Sequence, residues 1–246
     1  MIVGAGTLLN TATVLVGGTV GTLAGDRIPL RVRELLVQVL GLFTAVYGVK
    51  VAITPAFRGG AAPDLAVVVI ALLAGSALGA LLDVDGAMLA LGRWAERTLV
   101  RGDPAEGSGR VARAFVTTSL LFCVGPLTIL GSFADGARGD ILLLGIKSTL
   151  DGIAALAFAV TLGAGVLLSA ATVLVVQGGL TAAAYASRGG FDQYLMTQAL
   201  GAGGVMLVAL GLGLLEIRRI RVADMLPALV LAPLLAALSR HLNWGL

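Results

Sequence analysis

A lysine and an aspartate, Lys147 and Asp151, stand one helical turn apart in ILLLGIKSTLDGIAALAFAVTLG, a stretch from Ile141 to Gly163 that otherwise reads as a membrane span. Residues four apart share a helix face, so the two charges can meet each other or a common partner. A charged side chain at the centre of a bilayer costs about 2.5–3.5 kcal/mol on insertion scales, and such residues usually face a bundle interior or a water-filled path. The chemistry this pair could do is cation or proton handling. Asp151 would be the ligand, and Lys147 its tether or substitute counter-charge. Ser148 and Thr149 beside them can extend a hydroxyl path. The structural alternative is a neutralised pair that only fixes helix packing; buried pairs add little net stability, so either reading needs a reason beyond stability. Lysine is also scarce: of 17 Lys and Arg residues, only Lys50 and Lys147 are lysine.

The preceding span carries a second chemical feature, FCVGPLTILGSFADG, from Phe122 to Gly136. Pro126 lacks a backbone donor and clashes with the turn before it, and Gly125 adds freedom, so this helix is expected to kink or break. A break frees carbonyls and helix ends that can coordinate an ion. Thr128 and Ser132 follow on one helix face. A packing kink satisfied by neighbouring helices is the competing reading. Asp135 is expected in a loop, and Asp140 as the N-cap of the Lys147 helix. Asn10, Gln38, Gln177 and Gln198 are embedded amides whose default role is bonding between helices.

The elements that must position these residues are membrane helices. The chain is 58% hydrophobic and 13% charged, with a mean hydropathy of +0.99, against roughly a quarter charged residues in a soluble domain. Eight apolar segments can each cross a bilayer, at about 4–24, 34–53, 64–82, 114–133, 141–163, 164–184, 194–215 and 223–240. The fold class is therefore an all-α polytopic membrane protein, a single membrane domain over 1–246. The fifth and sixth segments abut at Gly163-Ala164-Gly165, and merging them would leave seven spans. The first segment has no basic leader region and no clear cleavage signal, so it is read as a retained span. The connection 83–113 begins with an amphipathic stretch in which Met88, Leu89, Leu91, Trp94 and Leu99 alternate with Arg93, Glu96, Arg97 and Arg101, suited to an interfacial or a solvated helix. The linker GDPAEGSG, 102–109, follows it.

An internal repeat organises the spans. GTLLNTATVLV (Gly6–Val16) and GVLLSAATVLV (Gly165–Val175) match at eight of eleven positions. Nearly the same offset pairs Leu35, Gln38, Leu40 and Gly41 with Leu195, Gln198, Leu200 and Gly201, and Asp64 with Asp224. Span one then pairs with span six, a shift of five, so the halves 4–82 and 164–240 have opposite topology. The central charged pair of spans, 114–163, lies between them, an arrangement typical of secondary transporters. Matched Asn10/Ser169 and Gln38/Gln198 could line a symmetric path. Glycines 17, 21 and 25, and 75 and 79, recur at four-residue spacing, which suits close helix packing and leaves homo-oligomer contacts open.

Charge placement orients the bundle. Loops after spans one, three and seven hold Arg27, Arg31 and Arg33; Arg93, Arg97, Arg101, Arg110 and Arg113; and Arg218, Arg219 and Arg221, eleven in all. The other side holds five, Lys50, Arg58, Arg138, Arg188 and Arg240. The positive-inside rule puts both termini outside. Other functions find little footing. One Cys excludes a disulfide framework, and the one histidine, His241, excludes a His-rich metal site and a Ser-His dyad. Cys123 has no embedded His partner, and no H-E-x-x-H occurs, so no enzyme, resident metal or cofactor is expected. No basic stripe interleaved with aromatics suggests nucleic acid. The expected partners are the bilayer and a small cation.

The block F-C-V-G-P-L-T-I-L-G-S…D-G…L-L-L-G-I-K-S-T-L-D-G, Phe122 to Gly152, resembles the YqgA/YdfK-like family of bacterial membrane proteins, a domain-of-unknown-function family. The opening G-T-L-L-N-T-A-T-V-L-V-G-G with Gly21, and G-x-G-V-x-x-S-A from Gly163 to Ala170, look like the same family. The resemblance covers essentially the whole chain. It implies a multi-pass protein of the bacterial plasma (inner) membrane and a suggested sodium channel or pump, and it brings no site residues. The expectation is a transporter or channel for sodium or protons; the alternative is a non-transporting scaffold or sensor with a structural ion pair.

Overall fold

The glycine register written into the first and fifth spans decides which helices can touch. In the computed structural model, which describes residues 2–25, 27–53, 63–99, 110–124, 126–186 and 192–241, every regular element among the described residues is helical. The helices are α1 (Ala5–Gly25), α2 (Leu30–Ile53), α3 (Leu65–Leu81), α4 (Val84–Leu99), α5 (Arg110–Val124), α6 (Pro126–Arg138), α7 (Leu142–Leu162), α8 (Gly165–Ala186), α9 (Gln193–Leu214) and α10 (Ala228–His241), the last preceded by a 3-10 turn at Val222–Met225. Six described segments are long and apolar enough to cross a bilayer, and two bent pairs, α3 with α4 and α5 with α6, bring the crossings up to eight. These elements follow the apolar segments closely. Gly125, Arg58, Arg101, Arg188 and the 102–109 linker lie outside the described residues.

The chain forms two compact units. One comprises Met1–Leu40, Gly86–Cys123 and Leu127–Gly190; the other comprises Gly41–Asp85, Val124–Pro126 and Phe191–Leu246.

In the first unit α1 and α7 run parallel along a seam of small residues. A Cβ on Gly17 would collide with the carbonyl of Gly152, and one on Gly21 with that of Leu156; Gly25 rests on Val160. Backbones approach this closely only where side chains vanish, and the contact depends on dispersion rather than hydrophobicity when lipid surrounds it. Helix α8 runs antiparallel to α1, with Leu167 over Gly18 at one end and Gln177 and Thr181 against Asn10 and Thr7 toward the other. The two copies of the repeated block, in α1 and α8, therefore point in opposite directions, as an inverted pair requires. Gly163 makes the reversal between α7 and α8. Its φ of +87° suits glycine, and its N–H still closes on the Ala159 carbonyl at 2.9 Å. Spans five and six are thus separate helices.

The expected fourth span, 114–133, is longer and broken. Residues Val111–Cys123 and Leu127–Arg138 meet at a 58° bend. Gly165 packs on the Val111 carbonyl, Ser119 donates to Thr172 at 3.0 Å, and Gly136 sits on Thr181, so the broken span runs alongside α8 in the same direction.

In the second unit Gly41 and Gly48 of α2 seat against Gly211 and Gly204 of antiparallel α9. Helix α3 lies antiparallel to the 3-10 turn and α10, Gly75 on Ala228 and Gly79 on Asp224, around a core of Val68, Ala71, Ala202, Ala228 and Ala232. Asp64 caps α3 through the N–H groups of Ala66 and Val67, and Asp192 caps α9 through that of Tyr194. Arg240 pairs with Asp192 and lies 4.0 Å over the Tyr194 ring.

Candidate functional site

Two parallel helices and one antiparallel one bring the embedded polar groups of the first unit to a single place. On α7 the i,i+4 spacing turns Lys147 and Asp151 to the same face, and they form an ion pair whose side chains are 4% and 13% exposed. The seam with α1 places Asn10 opposite. Its Nδ2 donates to Asp151 Oδ2 at 3.0 Å and to Gln177 Oε1 of α8 at 2.9 Å. Gln177 Nε2 then donates to Thr7 Oγ1 at 3.2 Å, and Thr7 and Thr181 hydroxyls lie 3.4 Å apart. Thr7, Asn10, Gln177 and Thr181 are all buried. A chain of polar groups thus runs Thr181, Thr7, Gln177, Asn10, Asp151, Lys147.

The orientation of the Asn10 amide follows from its partners. A carboxylate only accepts, so Asn10 must turn its NH2 toward Asp151. Its Oδ1 is left buried, with no hydrogen-bond partner among the described residues. An unpaired buried carbonyl oxygen costs about 1–3 kcal/mol, and this one belongs to the amide whose NH2 binds both the Asp151 carboxylate and Gln177 Oε1. Oxygen is the ligand type a hard cation takes. The ammonium of Lys147 supplies the positive charge facing the carboxylate.

Thr128 and Ser132 are buried on α6, on one face as the spacing requires. Thr128 has a definite task. In an unbroken helix the Phe122 carbonyl would accept from the N–H of residue 126, and proline has none. The Thr128 hydroxyl donates to that carbonyl at 2.8 Å, replacing the missing donor. The Phe122 carbonyl at the break is therefore already satisfied. Ser132 Oγ is buried and has no hydrogen-bond partner among the described residues. Pro126 opens α6 as its first residue.

Other expected residues sit apart from the network. Ser148 donates to its own Leu144 carbonyl at 2.6 Å and Ser169 to Val166 at 2.6 Å, so both hydroxyls are committed within their helices. Asn10 meets Gln177, two turns along α8 from Ser169, rather than its repeat mate. Gln38 is exposed on α2. Gln198 is buried in the second unit, where its Oε1 accepts the N–H of Asp64 at 2.7 Å. Asp224, the repeat mate of Asp64, is buried, accepts the N–H of Asp85 at 2.9 Å and pairs with Arg221 at 3.1 Å.

Asp135 corrects the expected loop. It lies in α6, fully buried, and its carboxylate accepts the N–H groups of Gly4 at 3.1 Å and Gly6 at 3.3 Å. These are unpaired donors at the start of α1, so Asp135 caps that helix from 129 residues away. Asp140 accepts from Leu142 N at 3.0 Å, with Ile141 in the cap position between them, one residue off the expected N-cap. The sequence offers Gln177 only as an amide for bonding between helices. The only sequence signal for Thr7 and Thr181 is the spacing of one polar face, i,i+3 for Thr7 with Asn10 and i,i+4 for Gln177 with Thr181.

Beside the two threonines a cleft of about 360 Å³ opens between the start of α1 and the end of α8. Val3, Leu8, Leu174 and Tyr185 form its walls, with Thr7 and Thr181 among its lining.

Comparison with known proteins matches residues 5–237 to a family described as "Protein of unknown function (DUF554)". The chain is 29% identical over 233 residues to "Uncharacterized protein YqgA" of Escherichia coli (strain K12), covering 94% of this chain and 96% of that one. It is 27% identical over 228 residues to "Uncharacterized membrane protein YdfK" of Bacillus subtilis (strain 168), covering 93% of each. No solved structure matches.

Proposed function

The chain belongs to the DUF554 family and is a multi-pass membrane protein, and from that premise we propose that it passes a small cation, sodium or a proton, across the bacterial plasma membrane by way of Asp151. The observation that carries this reading is the buried ion pair spliced into an amide network. Packing needs neither a carboxylate nor a lysine at this depth, and hydrocarbon or amides would serve it at lower desolvation cost. A buried carboxylate held by the Asn10 amide, whose own Oδ1 has no hydrogen-bond partner among the described residues, offers the oxygen ligands that a dehydrated cation takes. A bound cation would take the place of the Lys147 ammonium against Asp151. In this reading both termini face the exterior, following the arginine bias.

A non-transporting scaffold or sensor is favoured by one observation: the pair is almost closed, with Lys147 only 3% exposed. Flux in proteoliposomes separates the two. Under the transport reading, purified protein carries sodium or protons, Asp151→Asn abolishes the flux, and Asn10→Ala weakens it without loss of the folded protein. Wild-type protein that passes neither ion, or an Asp151→Asn variant with undiminished flux, would remove the reading and leave the scaffold.

A further inference from the structure

Resting on that reading, we infer that the cleft between the start of α1 and the end of α8 is the aqueous mouth through which the Asp151 site exchanges its cation, and that it opens on the membrane face where α1 begins. Thr7 and Thr181 form the hydroxyl floor that the ion crosses.

Depth is the first argument. The cleft begins at Val3 and Gly4, passes the two threonines and reaches Leu8 on α1 and Leu174 on α8. Asn10 lies six residues beyond Gly4, about 9 Å along a helix rising 1.5 Å per residue. The mouth therefore covers most of the distance from the helix ends to the polar centre. Tyr185, 65% exposed at its rim, is the kind of amphipathic ring that settles at headgroup level, where water is present.

Continuity is the second. Every step inward from the floor is polar: the 3.4 Å Thr7–Thr181 contact, Gln177 to Thr7 at 3.2 Å, Asn10 to Gln177 at 2.9 Å and Asn10 to Asp151 at 3.0 Å. The outermost contact is the longest of the four, so the two hydroxyls keep acceptor capacity for water or an ion. The buried, unpartnered Asn10 Oδ1 lies at the inner end of this chain.

Asymmetry is the third. Past Asn10, away from the cleft, the α1–α8 interface is closed by Leu167 over Gly18. On the cleft side, a Cβ built on Gly178 meets only the Thr7 methyl, at 3.8 Å. The α1–α8 interface is shut in one direction and open in the other, as a site with access to one face of the membrane at a time requires.

The test uses the full chain with Cys123→Ser, which removes its only cysteine, reconstituted in vesicles. Thr181→Cys and Thr7→Cys are each exposed to a membrane-impermeant cationic methanethiosulfonate, and Val173→Cys, fully buried deeper on α8, is the reference. Both threonine positions are expected to react from one face only and about tenfold faster than Val173→Cys or more, since a closed position reacts only through local opening. Gly178→Leu, which fills the cleft, is expected to slow Thr181→Cys to the reference rate. Threonine positions no faster than Val173→Cys, while exposed Tyr185→Cys reacts, would mean the cleft holds lipid and would overturn the inference. Equal reaction from both faces would overturn it as well. Fast one-sided labelling in a protein that passes no sodium, potassium or protons would instead overturn the transport reading and the ion's passage over the threonines, leaving a water-filled cleft.

Discussion

Asn10 and Asp151, 141 residues apart in the chain, are joined by a 3.0 Å hydrogen bond between a fully buried amide and a nearly buried carboxylate. That contact splices the ion pair of one span into the polar face of two others. It exists because glycines 17, 21 and 25 let α1 lie directly on α7, fixing the register in which residue 10 meets residue 151. Stability and any transport activity are therefore coupled through the same few side chains.

The ion pair separates these contributions. Removing one partner leaves an uncompensated buried charge, with a cost of about 3–5 kcal/mol. Lys147→Met and Asp151→Leu alone are each expected to lower thermal stability in detergent. The double variant is expected to recover most of the loss, because a well-packed apolar pair replaces a desolvated one. Additive losses in the double variant would show that the two charges do not compensate each other.

The broken span offers a second cycle. Thr128→Val removes the hydroxyl that satisfies the Phe122 carbonyl, with an expected cost of about 1–3 kcal/mol for an orphaned buried acceptor. Pro126→Ala restores an N–H at the position that carbonyl would normally accept from. Combining Pro126→Ala with Thr128→Val should therefore destabilise less than Thr128→Val alone, read as unfolding midpoints. An equal or larger loss in the double variant would show that the hydroxyl is not standing in for the missing donor.

Much of this architecture is legible in the sequence, because apolar length and glycine spacing are local properties. The spans and the shared face of Lys147 and Asp151 follow from apolar length and helical periodicity, whereas the division between the fifth and sixth spans, open in the sequence, is made by the turn at Gly163. What is not legible depends on which helix faces which. Nothing in the letters around Asn10 names Gln177 or Asp151 as partners, and Thr7 and Thr181 are ordinary span residues until α8 lies against α1. Asp135 misleads for a different reason. The glycines at 136 and 139 surround it with turn-like letters, yet α6 continues to Arg138 because the carboxylate finds its donors on another helix. Thr128 was recoverable in principle. A proline at 126 leaves the carbonyl of 122 in need of a donor, and a threonine two residues on can reach back.

Asp135 gives a third prediction. Its carboxylate holds two N–H groups at the start of α1, so Asp135→Ala should cost about 0.5–2 kcal/mol, the range of a lost N-cap. Asp135→Asn keeps an acceptor and should cost less. Hydrogen exchange at Gly4 and Gly6 is expected to accelerate in Asp135→Ala while the α1–α7 seam at Gly17 and Gly21 stays protected. Acceleration spread uniformly along α1 would instead mean that Asp135 supports the whole helix rather than its first turn.

The orientation of the bundle supplies the last prediction. If each bent pair is one span, the eight crossings would put both termini on one side of the membrane, the side that the arginine bias selects. Eleven positive residues lie in the loops after spans one, three and seven, against five on the other side. Because a cytoplasmic excess of Lys and Arg sets topology when the loops are short, the ends should face outward. A phosphatase that folds only outside the cytoplasm, fused after Leu246, is then expected to be active, and a fluorescent protein that matures only inside should stay dark there. Fused after Arg221, in the arginine-rich loop, the two reporters should exchange behaviour. A fluorescent fusion at Leu246 together with an active phosphatase at Arg221 would invert the bundle and place the α1–α8 cleft on the cytoplasmic face.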